Sequence, residues 1–424
     1  MKKKSGQQLF TKDFTIMEIG QCISLFGNTL QRFALSLYIL DITGSAAIFS
    51  ILLSLTVIPQ VILSPFGGAI ADRFNKRNMM VVLDTISAIL LTGFAVIVSK
   101  SPFSIINIGI LMFILSMIQS IYDPAVRASL PIIVEQDNLT KANSIVTSIS
   151  ALTNLAGPIA AGFLYGIYGI EIIFIINVIS FTISAIMEIF LVIPHEKIAI
   201  KGFPIKVFVI DIKESLSYLI HEKKIIFYML ILASGINLFL TPTFTVGVPY
   251  VEKIIFGVSD ELYGISEGII GFGMICGALL ATVVSKKVPI GQLHRLFILA
   301  ALCIIGMGVT TLPAALDLQD SNMFIYSCFT LIGFISSVII ININIISFTF
   351  MQIETPSHMM GKVMALVTSV SAALIPVGQV IYGVLYERLT QYIFAVYLIT
   401  SVITVILIGV LARSEVYRKL SKQE

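Results

Sequence analysis

Long apolar runs recur along this chain of 424 residues, and they limit what it can fold into. A helix that crosses the hydrocarbon core of a bilayer needs about 20 mostly apolar residues. The sequence supplies that length in twelve runs: Ile16–Leu40, Ala46–Ile70, Met79–Val98, Ile105–Ile121, Ile145–Tyr165, Ile172–Ile193, Ile225–Val248, Tyr263–Val284, Leu296–Leu316, Met323–Phe348, Val363–Leu385 and Ile393–Leu411. Backbone groups in lipid must find their partners within the protein, so such runs form helices. The sequence therefore predicts an all-α membrane protein with twelve transmembrane helices.

The basic residues indicate how these helices are oriented. Only 12% of the chain is charged, about half of the fraction that is usual in soluble domains. If the N-terminus lies in the cytoplasm, 23 of the 27 Lys and Arg residues fall on the cytoplasmic side and three fall in outer loops. Cytoplasmic loops of membrane proteins carry an excess of Lys and Arg. We therefore expect both termini to face the cytoplasm, in a bacterial-type cell (inner) membrane.

The chain contains an internal repeat with an offset of 221 residues. Nine of the 20 residues from 146 to 165 are identical to those 221 positions later, including Gly157 with Gly378. The matched runs are the fifth and the eleventh, so both cross the membrane in the same direction. Parallel repeats of this kind place the substrate site near the midplane between two halves. We predict an N-terminal six-helix bundle at 1–194, a cytoplasmic linker with an amphipathic helix at 195–223 and a C-terminal six-helix bundle at 224–424.

The loop between the second and third runs carries a motif with a mechanical interpretation. Its key residues are Gly68, Asp72, Arg73, Lys76 and Arg77. The pattern resembles the loop signature of major facilitator transporters, where it acts as a gating latch. The glycine lets a neighbouring helix approach, and the acid pairs with a helix end and with basic side chains. The alternative is a basic loop that only sets topology, for which the Lys and Arg residues suffice.

Two further segments narrow the resemblance. The segment after the fourth run contains Tyr122, Pro124, Ala125, Arg127, Leu130, Pro131, Leu139, Ala142 and Asn143. It looks like the drug:proton antiporter group that includes the macrolide-efflux proteins. In the fifth run, Gly157, Pro158 and Gly162 are similar to an antiporter motif, with Ala161 where that motif has a glycine. The resemblance implies a major facilitator fold and efflux of drugs. It is weak for the substrate, because the group also has lysophospholipid and siderophore relatives.

Polar side chains within the predicted spans are candidates for a transport site, because placing them in the membrane is costly. The expected substrate-cavity residues are Gln21, Asn28, Arg32, Phe33, Asn237, Thr241, Asn342 and Asn344. The expected proton-coupling candidates are Glu18, Asp84, Glu188 and Glu267, since a desolvated carboxylate can titrate near neutral pH. Hydrogen bonding between helices is an equally good interpretation of each neutral polar residue. Arg32 meets either an acidic substrate group or a structural partner such as Glu267.

These features favour a secondary transporter over other membrane proteins. The sequence has no phosphate-binding glycine loop of an ATP-driven pump, and its four histidines are scattered through predicted loops. We therefore expect neither an enzyme nor a metal site, and no cofactor or nucleic-acid partner. The predicted function is export of hydrophobic or amphiphilic compounds by a monomer in the lipid bilayer, with the proton as coupling ion. The alternatives are an exporter or flippase of an endogenous lipid or metabolite, and a non-transporting receptor or scaffold.

Overall fold

The computed structural model describes residues 9–98, 104–194, 204–313, 322–356, 359–413 and 417. The helices are α1 (Lys12–Thr43), α2 (Ala46–Arg73), α3 (Lys76–Val98), α4 (Ile105–Ile133), α5 (Leu139–Tyr168), α6 (Ile170–Ile189), α7 (Pro204–His221), α8 (Lys224–Ile255), α9 (Asp260–Lys287), α10 (Leu293–Val309), α11 (Asn322–Glu354), α12 (Met360–Arg388) and α13 (Ile393–Arg413). No strand occurs within the described ranges. The predicted all-α fold class is confirmed.

Eleven helical segments in the described part of the chain are long and apolar enough to cross a membrane. Helix α1 is not among them, although it has 32 residues. Its polar side chains, which include Glu18, Gln21, Asn28 and Arg32, lower its mean hydropathy. At about 1.5 Å per residue it is still far longer than the roughly 30 Å hydrocarbon core. Helix α1 is therefore the least apolar of the predicted spans.

The chain divides into two compact units. Unit 1 comprises Met1–Tyr38 and Leu55–Pro204. Within it, α3 packs along α6 and α4, and α5 packs against α6. A buried apolar cluster that includes Phe14, Met80 and Tyr122 joins α1, α3 and α4 at one end of this unit.

Unit 2 comprises Ile39–Ser54 and Ile205–Glu424. Within it, α9 packs along α11, α10 packs along α13 and α11, and α12 packs against α8. The predicted division into bundles at 1–194 and 224–424 stays a prediction; the short segment Ile39–Ser54 groups with unit 2.

The segment Ile39–Ser54 is fixed in unit 2 by ionic and polar contacts. Lys253 of α8 forms ion pairs with Asp41 (3.2 Å) and with Asp260 at the start of α9. A carboxylate oxygen of Glu387 accepts hydrogen bonds from the Ala47 backbone N–H (2.9 Å) and from the Ser45 hydroxyl. Glu387 thus places a negative charge at the N-terminus of α2, where the free N–H groups of a helix favour an anion.

Replacing Lys253 is expected to destabilise unit 2. The Lys253 side chain is only 10% exposed, and Lys253→Met leaves Asp41 and Asp260 without their shared cation. Removing one member of a buried ion pair costs about 3–5 kcal/mol. Thermal unfolding of the purified protein in detergent should show a clearly lower midpoint for Lys253→Met. The exposed Lys286→Met is the matched control, and equal midpoints for the two variants would contradict this prediction.

Helix α8 departs from regular α-helical geometry. Three π-helical stretches, Ile236–Leu240, Thr243–Gly247 and Val251–Ile255, interrupt it. Pro242 lies between the first two stretches. Since proline has no N–H, it cannot donate to the carbonyl four residues earlier, and the helix widens locally. Such π-helical segments are frequent at functional sites.

The linker helix α7 is joined to the rest of unit 2 by ion pairs in and just after its C-terminal half. Glu214 pairs with Lys362 (2.7 Å), and Lys223, just after α7, pairs with Glu354 (2.8 Å). The hydrogen bond to the Glu354 carboxylate raises the pKa of the Lys223 ammonium group. Leu219 of α7 is fully buried. The side chains of residues 204–212 lie outside the described residues.

Candidate functional site

Unit 1 contains a cavity of about 320 Å³ between α1, α2, α4 and α5. The predicted site residues Asn28 and Arg32 line it, whereas Gln21 and Phe33 are not among its lining residues. Apolar walls, including Leu35 of α1, alternate with these polar groups. A mixture of apolar surface with a few placed polar groups is typical of small-molecule sites.

A chain of hydrogen bonds runs through this cavity. The Asn28 side-chain amide donates to Gln119 Oε1 (3.0 Å), and the Gln119 amide donates to an Asp123 carboxylate oxygen. Gln119 and Asp123 are absent from the predicted site. The predicted fourth span, Ile105–Ile121, contains Gln119 but ends before Asp123. Helix α4 continues to Ile133 through two prolines. Proline is tolerated in membrane helices, so Pro124 does not have to end the fourth span. If the span continues, Gln119 and Asp123 are four residues apart on one helix face, and this spacing is the sequence signal for a polar site.

Unit 2 contains a second cavity, of about 390 Å³, between α8, α11 and α12. The predicted residues Asn237 and Asn344 line it, together with hydroxyl groups such as Ser371 and apolar side chains such as Met229 and Phe348. Its wall is more apolar than that of the unit 1 cavity, and within the described residues no charged side chain lines it.

The two other polar residues predicted for the second half are placed differently. The Asn342 side chain is buried and donates to the backbone oxygens of Gly277 (3.0 Å) and Val338 (2.7 Å). Thr241 donates to Asn237 Oδ1 (3.2 Å). Neither residue lines the unit 2 cavity. Asn342 forms a link between α11 and α9, and Thr241 orients Asn237.

Two of the predicted proton-coupling residues form a carboxyl pair in unit 1. Asp84 of α3 and Glu188 of α6 are each 1% exposed and interact electrostatically. The hydroxyl of Tyr122, on α4, donates to Glu188 Oε1 (2.6 Å). One oxygen of each carboxyl group has no hydrogen-bond partner among the described residues. No basic side chain in that part of the chain forms an ion pair with either group.

The other two proton-coupling candidates lie apart from this pair. Glu18 of α1 is 4% exposed, and neither of its carboxyl oxygens has a hydrogen-bond partner in the described ranges. Glu267 belongs to α9 in unit 2, where Tyr263 donates to it (3.3 Å). Arg32 lies in unit 1, so its suggested pairing with Glu267 stays a prediction.

A buried acid in unit 2 was not predicted. Glu252 is fully buried; the Ser266 hydroxyl donates to one of its carboxyl oxygens, while the other has no partner among the described residues. The seventh apolar run ends at Val248, which leaves Glu252 outside the predicted span, but α8 continues to Ile255. In the repeat register of 221 residues Glu252 corresponds to Gln31, which is also buried.

The predicted latch is described only in part. Gly68, Asp72 and Arg73 lie at the end of α2, and their side chains fall outside the described residues. Lys76 is buried at the start of α3. Arg77 donates to the backbone oxygen of Ile189, which links the beginning of α3 to the end of α6. The role of these residues as a latch remains a prediction.

The antiporter-like motif forms a close helix contact within unit 1. Gly157, Pro158 and Gly162 are buried in α5. A Cβ atom at Gly157 would lie 2.5 Å from the Thr29 methyl group of α1. Because glycine has no Cβ atom, α5 approaches α1 this closely without displacing the Thr29 side chain. Small residues have this role at many helix contacts in membranes.

The helical spans and the cavities in both units define a multi-pass membrane transporter. A family model described as Major Facilitator Superfamily matches residues 17–379. The chain belongs to the Major Facilitator Superfamily.

The chain is also similar to curated relatives over most of its length. It is 23% identical to "Macrolide efflux protein A" of Streptococcus pyogenes over 394 residues, which is 92% of each chain. It is 23% identical to "Staphyloferrin A transporter" of Staphylococcus aureus over 84% of this chain and 85% of that one. It is 23% identical to a lysophospholipid transporter of Photorhabdus laumondii over 80% of each chain.

A solved structure resembles this fold. The bacterial homologue of the iron transporter ferroportin superposes with a TM-score of 0.72, covering 96% of this chain and 100% of that one at 15% sequence identity. At this identity the likeness supports the fold alone.

Proposed function

We propose that this protein exports amphiphilic compounds across the cell membrane by proton antiport. The observation that carries the proposal is the unit 1 cavity, which combines apolar walls with Asn28, Gln119, Asp123 and Arg32. Such a lining suits a compound that is mostly apolar but has a few polar groups. The similarity to Macrolide efflux protein A over 92% of the chain favours an antibiotic of this kind as substrate.

Asp84 and Glu188 are the residues that we propose for proton coupling. Both are almost inaccessible, and ionised carboxylates in a low-dielectric site are costly. Two neighbouring carboxyl groups can share one proton at a much lower cost than they can carry two charges. Tyr122, Ser24 and Ser184 supply the hydroxyl groups around the pair. Release of the proton on one side of the membrane and its uptake on the other would couple the pair to transport.

Growth inhibition of a pump-deficient host tests the proposed function. Cells that express the protein are compared with control cells on macrolides, tetracyclines, fluoroquinolones and cationic dyes. We expect raised resistance and lower drug accumulation, reversed by a protonophore. Asp72→Asn, in the predicted latch, is expected to abolish the resistance while the protein remains in the membrane. No protection against any compound, with the protein present in the membrane, would refute drug efflux.

Export or flipping of an endogenous compound is the second candidate. It is supported by the relatives named as staphyloferrin A and lysophospholipid transporters, which are as similar in identity as the macrolide-efflux relative. Deletion of the gene would then change membrane lipid composition or siderophore release. Drug resistance would be unaffected.

A further inference from the structure

Four polar side chains of the unit 1 cavity follow one another along α1 and α4, with a positive charge at one end of the series and a negative charge at the other. The Asn28–Gln119 hydrogen bond (3.0 Å) lies in the middle and joins α1 to α4. Arg32 is four residues after Asn28 on α1, and Asp123 is four residues after Gln119 on α4. Residues four apart lie on the same face of a helix, and all four side chains line the cavity.

The direction of the two helices separates the charges. As the first and fourth of the consecutive spans, α1 and α4 cross the membrane in opposite directions. Arg32 and Asp123 are therefore displaced from the central hydrogen bond toward opposite sides of the membrane. Four residues of helix span about 6 Å, so the backbones of Arg32 and Asp123 are about 12 Å apart along the helix axes. The guanidinium is on the predicted outer side, and the carboxylate is on the predicted cytoplasmic side.

The Asp123 carboxylate is available to a ligand. Its hydrogen bond comes from the neutral Gln119 amide, and in the described part of the chain no Lys or Arg nitrogen forms an ion pair with it. Arg127, one turn further along α4, is exposed and acts on Asp123 only electrostatically. Asp123 is exposed and lines the cavity, and a negative charge on the wall of a cleft attracts a cation.

We propose that Asp123 binds the cationic group of the substrate, which makes this transporter selective for amphiphiles that carry a single positive charge. Asn28 and Gln119 bind hydroxyl or carbonyl groups next to that charge. Arg32 at the opposite end repels a second positive charge and donates hydrogen bonds to an acidic or carbonyl oxygen. This inference rests on the proposed export function and names its substrate class.

Direct binding to the purified full-length protein in nanodiscs of zwitterionic lipid tests this inference without requiring transport. The probes are ethidium, with one permanent positive charge, propidium, with the same ring system and a second charge, and the neutral dye Nile red. Asp123→Asn is expected to weaken ethidium binding at least about tenfold, the loss that follows removal of one charge-assisted contact. Asp123→Glu should retain most of the binding. Nile red binding should be unchanged in both variants.

Two controls separate charge recognition from a structural effect. Asp137→Asn removes an exposed acid outside the cavity and should leave ethidium binding unchanged. Arg32→Gln should raise propidium binding relative to ethidium binding. A parallel loss of ethidium and Nile red binding in Asp123→Asn would indicate a structural role and would overturn the inference, as would equal ethidium binding by the wild type and Asp123→Asn.

The same probes distinguish this inference from the proposed function. Suppose that cells expressing the wild-type protein export a drug, but that the wild-type protein and Asp123→Asn bind ethidium equally well. The proposed export function is then supported and the proposed charge selectivity is wrong. If the predicted pattern of binding holds but no compound is exported, the cation site stands and the antiport proposal is wrong.

Discussion

Neutralising the carboxyl pair of unit 1 is expected to abolish proton-driven export. Asp84→Asn and Glu188→Gln each keep the side-chain shape but remove one acidic group. Both residues are 1% exposed, and Tyr122 already fixes the orientation of Glu188. In proteoliposomes with an imposed pH gradient, we expect each variant to lower export at least about tenfold. This corresponds to about 1.4 kcal/mol in the barrier of the coupled step. We expect the double variant to show no substrate-driven proton movement.

A drug-binding assay shows whether the loss of export comes from proton coupling or from weaker substrate binding. Binding of the exported drug to the purified variants should be unchanged, because neither Asp84 nor Glu188 lines the unit 1 cavity or the unit 2 cavity. Glu135→Gln, at an exposed position on the predicted cytoplasmic side, is the matched control and should export like the wild type. If the double variant still moves protons when substrate is added, Glu18 and Glu252 become the next candidates, since each has a buried carboxyl oxygen without a hydrogen-bond partner among the described residues.

Replacing Gly378 with alanine is expected to destabilise unit 2 strongly. A Cβ atom there would lie 2.3 Å from the Leu238 carbonyl oxygen and 2.8 Å from the Pro242 ring of α8. The carbonyl belongs to the backbone and the ring is rigid, so neither can move aside without displacing a helix. Overpacking of this kind costs about 1–3 kcal/mol and sometimes more. Thermal unfolding monitored by fluorescence-detected size-exclusion chromatography should show a lower midpoint and reduced yield.

Two matched substitutions test the reason for this effect. Gly157→Ala, at the corresponding position of the repeat, would contact the Thr29 side chain at 2.5 Å. Because a methyl group can yield where a carbonyl cannot, we expect a smaller loss than for Gly378→Ala. Gly93→Ala in α3 meets nothing within 4 Å and should not destabilise the protein, since alanine is the better helix former. A similar midpoint for all three variants would show that backbone contact at Gly378 is not the cause.

The family and the fold class could be predicted from sequence because their signals are local. Apolar length, the Lys and Arg distribution and the repeated glycines require no knowledge of helix packing. The ends of the predicted spans were less accurate than their number and type. The fourth span was ended at Ile121 and the seventh at Val248, yet α4 reaches Ile133 and α8 reaches Ile255. Both errors occurred near a proline, Pro124 or Pro249, and both left a carboxylate outside the predicted span: Asp123 and Glu252.

The sequence by itself was enough to predict an all-α membrane protein with twelve spans and its superfamily. Only the tertiary structure decided which polar residues face a cavity. Asn344 lines the unit 2 cavity, whereas Asn342, two residues earlier on the same helix, bonds to the Gly277 backbone. In a soluble helix a polar face indicates the outside, but in lipid both the outer and the packed surfaces are apolar, so hydrophobic periodicity is weak. The rotation of each helix about its axis is set by contacts such as that of Gly157 with Thr29. The packing of α3 along α6 brings together Asp84 and Glu188, which are 104 residues apart in the sequence.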